Sequence, residues 1–531
     1  MHPTASPRSR SLLWLACLCP AALLSAQVNQ AQGNQAPGNQ AQGNQPAEQA
    51  PEVANPVDLR AEQRGAPVRQ LTLGEALRLG RLHNVSLRAA ELVPQQARLD
   101  LLFEEAGFEP EVYGSTGYAE RESPQRNAFS PSIASTTIDA QVGWRQRVIT
   151  GGLFDLAFEP TRFQSSGSSA FPDQQFTSQW TASFRQPLLA GAWTDYGLAP
   201  VNAARYRLSQ AGHDYERAVQ DTLLGIVQAY WELVFARENW RVVNTALDVA
   251  REQLRITEER IRVQALAPRD RIADEAEVAR RREDLIVAEN AIAGREDDLR
   301  RLLFDGSDRV LWQVNLRPTS PIPQEVALGE QPFEPLVGVA IEHRPDLRSL
   351  RSSVATAEVA LLQAQRDTLP NLDLVSAYSS DGVRDQFHLA FGDSLDQQYP
   401  DWSVRLEFVI PIGNHAARAR EQRARLEVER QRRLLHALSF EVGTQVREAV
   451  RNLASLAQSL NASTESVRLA ATNLETEQVK LRVGASTTFE VQRRNQELRQ
   501  AKSRQLRNQL DYRTAESRLL HAQGLLQTNV E

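Results

Sequence analysis

Residues 226–261 read IVQAYWELVFARENWRVVNTALDVAREQLRITEERI, with apolar side chains at Ile226, Leu233, Trp240, Leu247, Leu254 and Ile261, every seventh position. A sustained period of seven gives left-handed coiled-coil packing. Moved 220 residues along the chain, the same positions are Val446, Leu453, Leu460, Val467, Leu474 and Leu481, all still apolar. Each run is followed by a short break, Val263-Gln264-Ala265 and Val483-Gly484-Ala485. A second heptad then begins: Val278, Leu285, Ile292 and Leu299 in one copy, Leu498, Gln505, Tyr512 and Leu519 in the other. Further upstream the spacing becomes 260, where His83, Leu87, Arg88 and Pro110 match His343, Leu347, Arg348 and Pro370. Long-period self-similarity of this kind marks an internal duplication. The 40-residue difference between the two spacings gives the first half a longer segment between its strands.

Each half reads helix, strands, long helix, turn, helix. The first repeat is placed at 70–305, with strands in 111–186 and a hairpin over 198–304; the second at 333–527, with strands in 371–410 and a hairpin over 414–526; and a linker at 306–332. Thr72 and Glu75 form a capping box behind Leu71, opening a helix that runs to about Gly107. The long helix from about Leu198 to Val263 reaches roughly 100 Å at ~1.5 Å per residue. The flanking helices are about half as long, so paired short helices are expected beside each long one. Ile272, Ala279, Ile286 and Ala293 make a second apolar line beside the first, and Ala501, Ala515 and Ala522 do so in the other copy. Two adjacent lines let a helix meet neighbours on both sides.

Between the helices the period changes to two. Trp402, Val404, Leu406, Phe408 and Ile410 alternate with Ser403, Arg405 and Glu407; Ile138, Ala140, Val142 and Trp144 alternate with Asp139, Gln141 and Gly143. The first half offers four such segments, 111–120, 136–147, 152–160 and 174–186; the second offers two, 371–379 and 402–410. Strands of ~9–11 residues suit a tilted transmembrane barrel, with one face to lipid and one to water. The same alternation fits a soluble sheet. If the strands lie in lipid they are too few to close alone, and unpaired edges cannot face hydrocarbon. The barrel is then shared among chains in a cyclic homo-oligomer.

Composition narrows the function classes. The chain has 531 residues, is 24% charged and carries a net charge of only -6, so no strong field toward nucleic acid follows. Arg8 and Arg10 precede the apolar run Leu12–Leu24 and Ser25-Ala26-Gln27, the layout of a signal peptide over 1–26. Both cysteines, Cys17 and Cys19, lie inside it, so the chain after Ala26 has none to offer for disulfides, thiol catalysis or metals. A rival reading makes Cys17 a lipidated N-terminus, on Leu15-Ala16-Cys17. Residues 27–69, with Gly-Asn-Gln at 33, 38 and 43, read as a disordered tether. No phosphate-cradling loop, metal-spaced histidine pair or Ser-His-Asp arrangement is found. The expectation is a protein that is not an enzyme and holds no cofactor or metal.

Leu71-Thr72-Leu73-Gly74-Glu75-Ala76-Leu77, Gln186-Pro187-Leu188-Leu189, Pro411-Ile412-Gly413 and the two hairpin tips, in this order and duplicated, resemble the outer membrane efflux protein family, often called TolC-like. The resemblance covers about residues 70 to 525. It implies a mainly α fold with membrane β: duplicated coiled-coil hairpins forming an α-barrel, plus strands of a trimeric transmembrane β-barrel. It also implies four strands per chain, twelve in all, and a long periplasmic portion. The implied partners are a periplasmic adaptor and an inner-membrane pump, in a tripartite efflux or type I secretion system. The two additional first-half segments depart from that pattern and are read as an extracellular hairpin or loop. Carried over by position, Val263, Gln264, Ala265, Val483, Gly484 and Ala485 are the adaptor-contacting tips, and Asp270, Glu490 and Arg493 belong to the periplasmic aperture. Gln264 stands where a glycine is usual, and Leu481 and Ser486 where the locking Tyr and Arg of the best-known members stand. The alternative is a periplasmic coiled-coil structural or adaptor protein.

Overall fold

The computed structural model describes residues 68–123, 133–166, 174–305, 314–322, 332–483 and 485–527. The expected leader, Cys17 and the tether up to residue 67 lie outside them. The first copy runs β1 (Val68–Leu71), α1 (Leu73–His83), α2 (Val85–Ala106), β2 (Glu111–Ser123), β3 (Ile133–Arg147), β4 (Leu153–Ser166), β5 (Gln174–Pro187), α3 (Thr194–Gly197), α4 (Ala199–Arg262) and α5 (Asp270–Leu303). The second runs β6 (Asn315–Pro318), α6 (Phe333–His343), α7 (Pro345–Arg366), β7 (Asn371–Arg384), α8 (Phe387–Leu395), β8 (Pro400–Val409), α9 (His415–Arg482) and α10 (Thr488–Ala522).

The capping box forms as the sequence suggests. Glu75 N–H donates to Thr72 Oγ1 at 3.2 Å and Thr72 N–H to Glu75 Oε2 at 2.9 Å. The helix it opens does not run unbroken to Gly107. Asn84 is extended (φ -64°, ψ 121°), accepts from Leu87 N–H at 3.0 Å and donates to the Leu302 carbonyl at 2.9 Å, so α1 ends and α2 begins there. The repeat carries the same break 260 residues on, where Arg344 (φ -63°, ψ 125°) separates α6 from α7.

β1 and β6 pair in parallel, Val68 opposite Asn315 through Leu71 opposite Pro318. This corrects two expectations, since Val68 and Arg69 fall in the supposed tether and β6 in the supposed linker. The cause is burial: Leu71 and Leu316 enter one core with Leu77, Ile226, Leu233 and Leu299. Each such fully buried side chain contributes on the order of 1.5–3 kcal/mol. Tyr230 secures the pair, its hydroxyl donating to the Leu71 carbonyl and accepting from Ser320 N–H, both at 3.0 Å. Beside it the buried Glu296 carboxylate holds Arg237 at 2.6 Å and Arg300 at 2.8 Å.

The second copy centres on Ala340, Leu347, Val442 and Val446. Here Arg344 and Asp346 form a buried bidentate pair, Nη2 to Oδ2 at 2.6 Å and Nε to Oδ1 at 3.0 Å. Arg344 also donates to Gln445 of α9 and the Ala522 carbonyl of α10, and Arg217 of α4 reaches Asp346. Burial acts to raise the Asp346 pKa, but the two arginines and the Leu347 amide outweigh it and hold the carboxyl below its ordinary value.

Heptad positions pack as their period requires: Ile226, Leu233, Leu247, Val446 and Leu460 are buried, and the remaining members of both runs are half-buried. The helices make one layer. Toward the sheet its order is α2, α4, α7, α9; toward the tips it is α5, α4, α10, α9. Short helices thus do lie in pairs beside the long ones.

The remaining strands form one antiparallel sheet of six, ordered β2-β3-β4-β5-β7-β8. The additional first-half strands are part of this sheet and not a detached hairpin: β3 pairs along its length with β2 and β4, and β4 with β5. Helix α8 folds back over β5 and β7. Ser178 and Ser394 share a hydroxyl hydrogen bond at 2.9 Å, Ser380 donates to the Ser394 carbonyl at 2.8 Å, and Phe391 meets the Phe158 ring edge-on. Among the described residues no helix is long and apolar enough to cross a membrane.

Candidate channel wall and aperture

Register fixes what each face of the sheet presents. Val112, Val142, Leu156, Ala182, Leu374 and Leu406 share one face, each paired directly with, or in phase with, the next strand's apolar position. Much of this face is bare, with Val112 77%, Val142 55%, Leu406 63% and Phe408 71% exposed. A soluble sheet would cover it. The opposite face is polar and internally paired. Asp155 takes Tyr113 at 2.8 Å and Arg145 at 2.9 Å, Gln141 donates to Glu159, and Arg185 bridges Asp373 and Glu407. A wall with one apolar and one polar face suits hydrocarbon on one side and water on the other.

The wall is open at both ends. β2 and β8 are the sheet's edge strands. The helical layer ends on the same two sides, because α2 leads into β2 and β8 leads into α9. Each helical edge exposes apolar side chains: Leu99 and Phe103 on α2, Ile272 and Ile286 on α5, Leu426 and Phe440 on α9.

Both tips lie at the end of the helical layer away from the sheet. The first is a Schellman turn, with Gln264 N–H on the Ile261 carbonyl at 2.9 Å and Ala265 N–H on the Arg260 carbonyl at 2.8 Å. Gln264 takes the left-handed conformation (φ 60°) that a glycine would otherwise supply, so the substitution keeps the turn. The second tip has the matching bond, Ala485 N–H on the Lys480 carbonyl at 2.8 Å. Gly484 and the Asp270 side chain lie outside the described residues. Val263 (67%) and Val483 (74%) are exposed. Phe489, which sequence reasoning did not single out, is exposed beside the second tip.

Thr487 caps α10 by accepting from Glu490 N–H at 3.3 Å. Arg493 reaches the Glu490 carboxylate at 3.1 Å within the same helix. Such exposed pairs contribute little to stability, about 0–1 kcal/mol. Ser486 donates to Glu477, and this bond holds the Glu477 carboxyl below the usual range. The serine closes its own hairpin, and no sequence motif pointed to Glu477 as its acceptor. No cluster of His, Cys, Asp or Glu among the described residues could hold a metal ion.

Residues 336–525 match the family model for outer membrane efflux protein. That match spans the second of the two repeats, 190 of the chain's 531 residues. Protein CyaE of Bordetella pertussis is 27% identical over 334 residues, 60% of this chain and 67% of its own. Among solved structures, the Campylobacter jejuni CmeC outer membrane channel superposes with a TM-score of 0.63 at 15% identity, over 86% of this chain and 87% of that one. The outer membrane protein VceC from Vibrio cholerae gives 0.61 at 16% identity, over 85% and 96%. At 15 and 16% identity these two structures show that the chain shares the fold of outer membrane channels. Its helical part has the TolC-like architecture.

Proposed function

We propose that three copies of the chain close into a continuous duct, the sheets forming a β-barrel in the outer membrane and the helical layers a tunnel below it. The observation that carries this is the coincidence of edges: β2, α2 and α5 end one side of the protomer, β8 and α9 the other, and both helical edges are apolar and bare. A head-to-tail interface between unlike edges generates a ring where the rotation closes. The tunnel is periplasmic, and cargo passes through it passively, driven by an inner-membrane pump. An adaptor bridges pump and tips, meeting Val263, Gln264, Ala265, Val483, Gly484 and Ala485. Asp270, Glu490 and Arg493 lie on the narrow opening the tips surround.

The test is assembly at the edges. Cysteines at Phe103 and at Phe440, Leu434 or Leu426 in turn are expected to give a disulfide-linked trimer on non-reducing gels for at least one pair. The same protein should conduct ions in planar bilayers. A monomer in mild detergent, with no cross-link from any pair, would remove the proposal.

A further inference from the structure

The β3–β4 hairpin raises the strand count of the sheet from four to six. Its pairing is not marginal. Thirteen residues of β2 stand opposite β3, from Glu111 opposite Arg145 to Ser123 opposite Ile133. On the other side Leu153 through Gln164 stand opposite Arg185 through Gln174 of β5. The hairpin also keeps the phase of the wall. Ile138, Val142 and Leu156 lie on the bare apolar face, while Gln141, Arg145, Asp155 and Glu159 lie on the polar face and pair there with Tyr113 and one another. A flap over the outer mouth would have no reason to alternate in register with the strands beside it.

Its inner turn is built into the junction of sheet and helices. Val148 N–H donates to the Gly152 carbonyl at 2.8 Å, and Thr150 and Gln186 exchange hydrogen bonds at 2.8 and 3.0 Å. The turn presses on the segment leading to α4 so closely that two glycines are required. A Cβ on Gly197 would lie 2.1 Å from the Ile149 carbonyl oxygen, and one on Gly151 (φ 84°) 2.2 Å from that of Gly191.

We infer that the β3–β4 hairpin crosses the membrane as part of the barrel wall, so that the assembled duct has eighteen strands, six from each of three chains, and not twelve. Barrel diameter grows roughly linearly with strand number, so the outer lumen is about 1.5-fold wider than that of a twelve-stranded relative. The helical tunnel gains no element from the hairpin and keeps its width. The outer segment therefore sets no size limit on cargo, and its polar lining is left to hold water.

This inference rests on the proposed barrel, and the experiment separates the two. With Cys17 and Cys19 replaced, single cysteines are placed at Ile138, Val142 and Leu156, at Gln141, Arg145 and Glu159, and, as controls on β8, at Leu406 and Arg405. Proteoliposomes are treated with a water-soluble maleimide, and a fluorophore at each site is quenched by brominated lipid. The expected result is lipid quenching at 138, 142, 156 and 406, and maleimide reaction at 141, 145, 159 and 405. If the controls alternate but every hairpin position reacts with the maleimide, the hairpin lies outside the membrane and the inference fails. If the controls do not alternate either, the barrel itself fails. A map of the trimer in a lipid nanodisc, counting eighteen or twelve strands, gives the same decision independently of labelling.

Discussion

Asp346 gathers the polar contacts at the α6–α7 break, drawing Arg344, Arg217 and the Leu347 amide to one buried carboxylate. Its folded pKa is depressed, so its stabilisation is complete above the unfolded value near 4 and is lost as pH falls through the folded value. Asp346→Asn leaves Arg344 buried without a counter-charge, which costs about 3–5 kcal/mol in comparable sites. A lowered urea midpoint at neutral pH is expected, with a gap from the parent protein that narrows as pH drops below about 4. A constant gap across that range would mean that the carboxylate's charge is not what stabilises the fold. Tyr230 and Glu296 play the corresponding parts in the first repeat with different chemistry, so the two cores share a plan and not their residues.

Among the elements, the turn between β3 and β4 makes a strict demand on the sequence packed against it. Gly197→Ala puts a methyl group against the Ile149 carbonyl, backbone on both sides, and nothing flexible can yield. Overpacking of this kind costs roughly 1–3 kcal/mol. The expected outcome is faster proteolysis within 148–152 while the α4–α5 hairpin keeps its protection; uniform protection would show that the turn is held elsewhere. The long helices and most strands were legible beforehand because their periods repeat many times, and register then follows from alternation. What was not legible depends on single distant contacts. The break at Asn84 needs the Leu302 carbonyl, 218 residues away, to reward an extended backbone. β1 and β6 are four residues each, too short for any period, and exist because Leu71 and Leu316 share one core. The tips were found by the 220-residue shift, but the Ser486–Glu477 bond across one of them carries no motif.

At the scale of the whole molecule, threefold repetition turns single side chains into rings. Arg493 lies 3.1 Å from Glu490, and on the proposed aperture three such pairs would offset the acidic field of Asp270 and Glu490. Arg493→Asp removes the offset and adds three negative charges, so cation preference should rise and multivalent cations should block better. Reversal potential under a salt gradient reads this directly, and an unchanged value would place Arg493 away from the lumen. The outer end of the proposed duct carries a different constraint, set by α8. Loops at the rim of a barrel are ordinarily the part of the chain that can be trimmed without penalty. Here Ser178 and Ser380 stand on the apolar side of the wall, and their hydroxyls are satisfied by Ser394 of α8. In the proposed barrel, a shortened link between β7 and β8 would leave both hydroxyls turned toward acyl chains without Ser394 to bond. Sequence drift is therefore free to rewrite the side of α8 that faces away from the sheet but not to delete the helix.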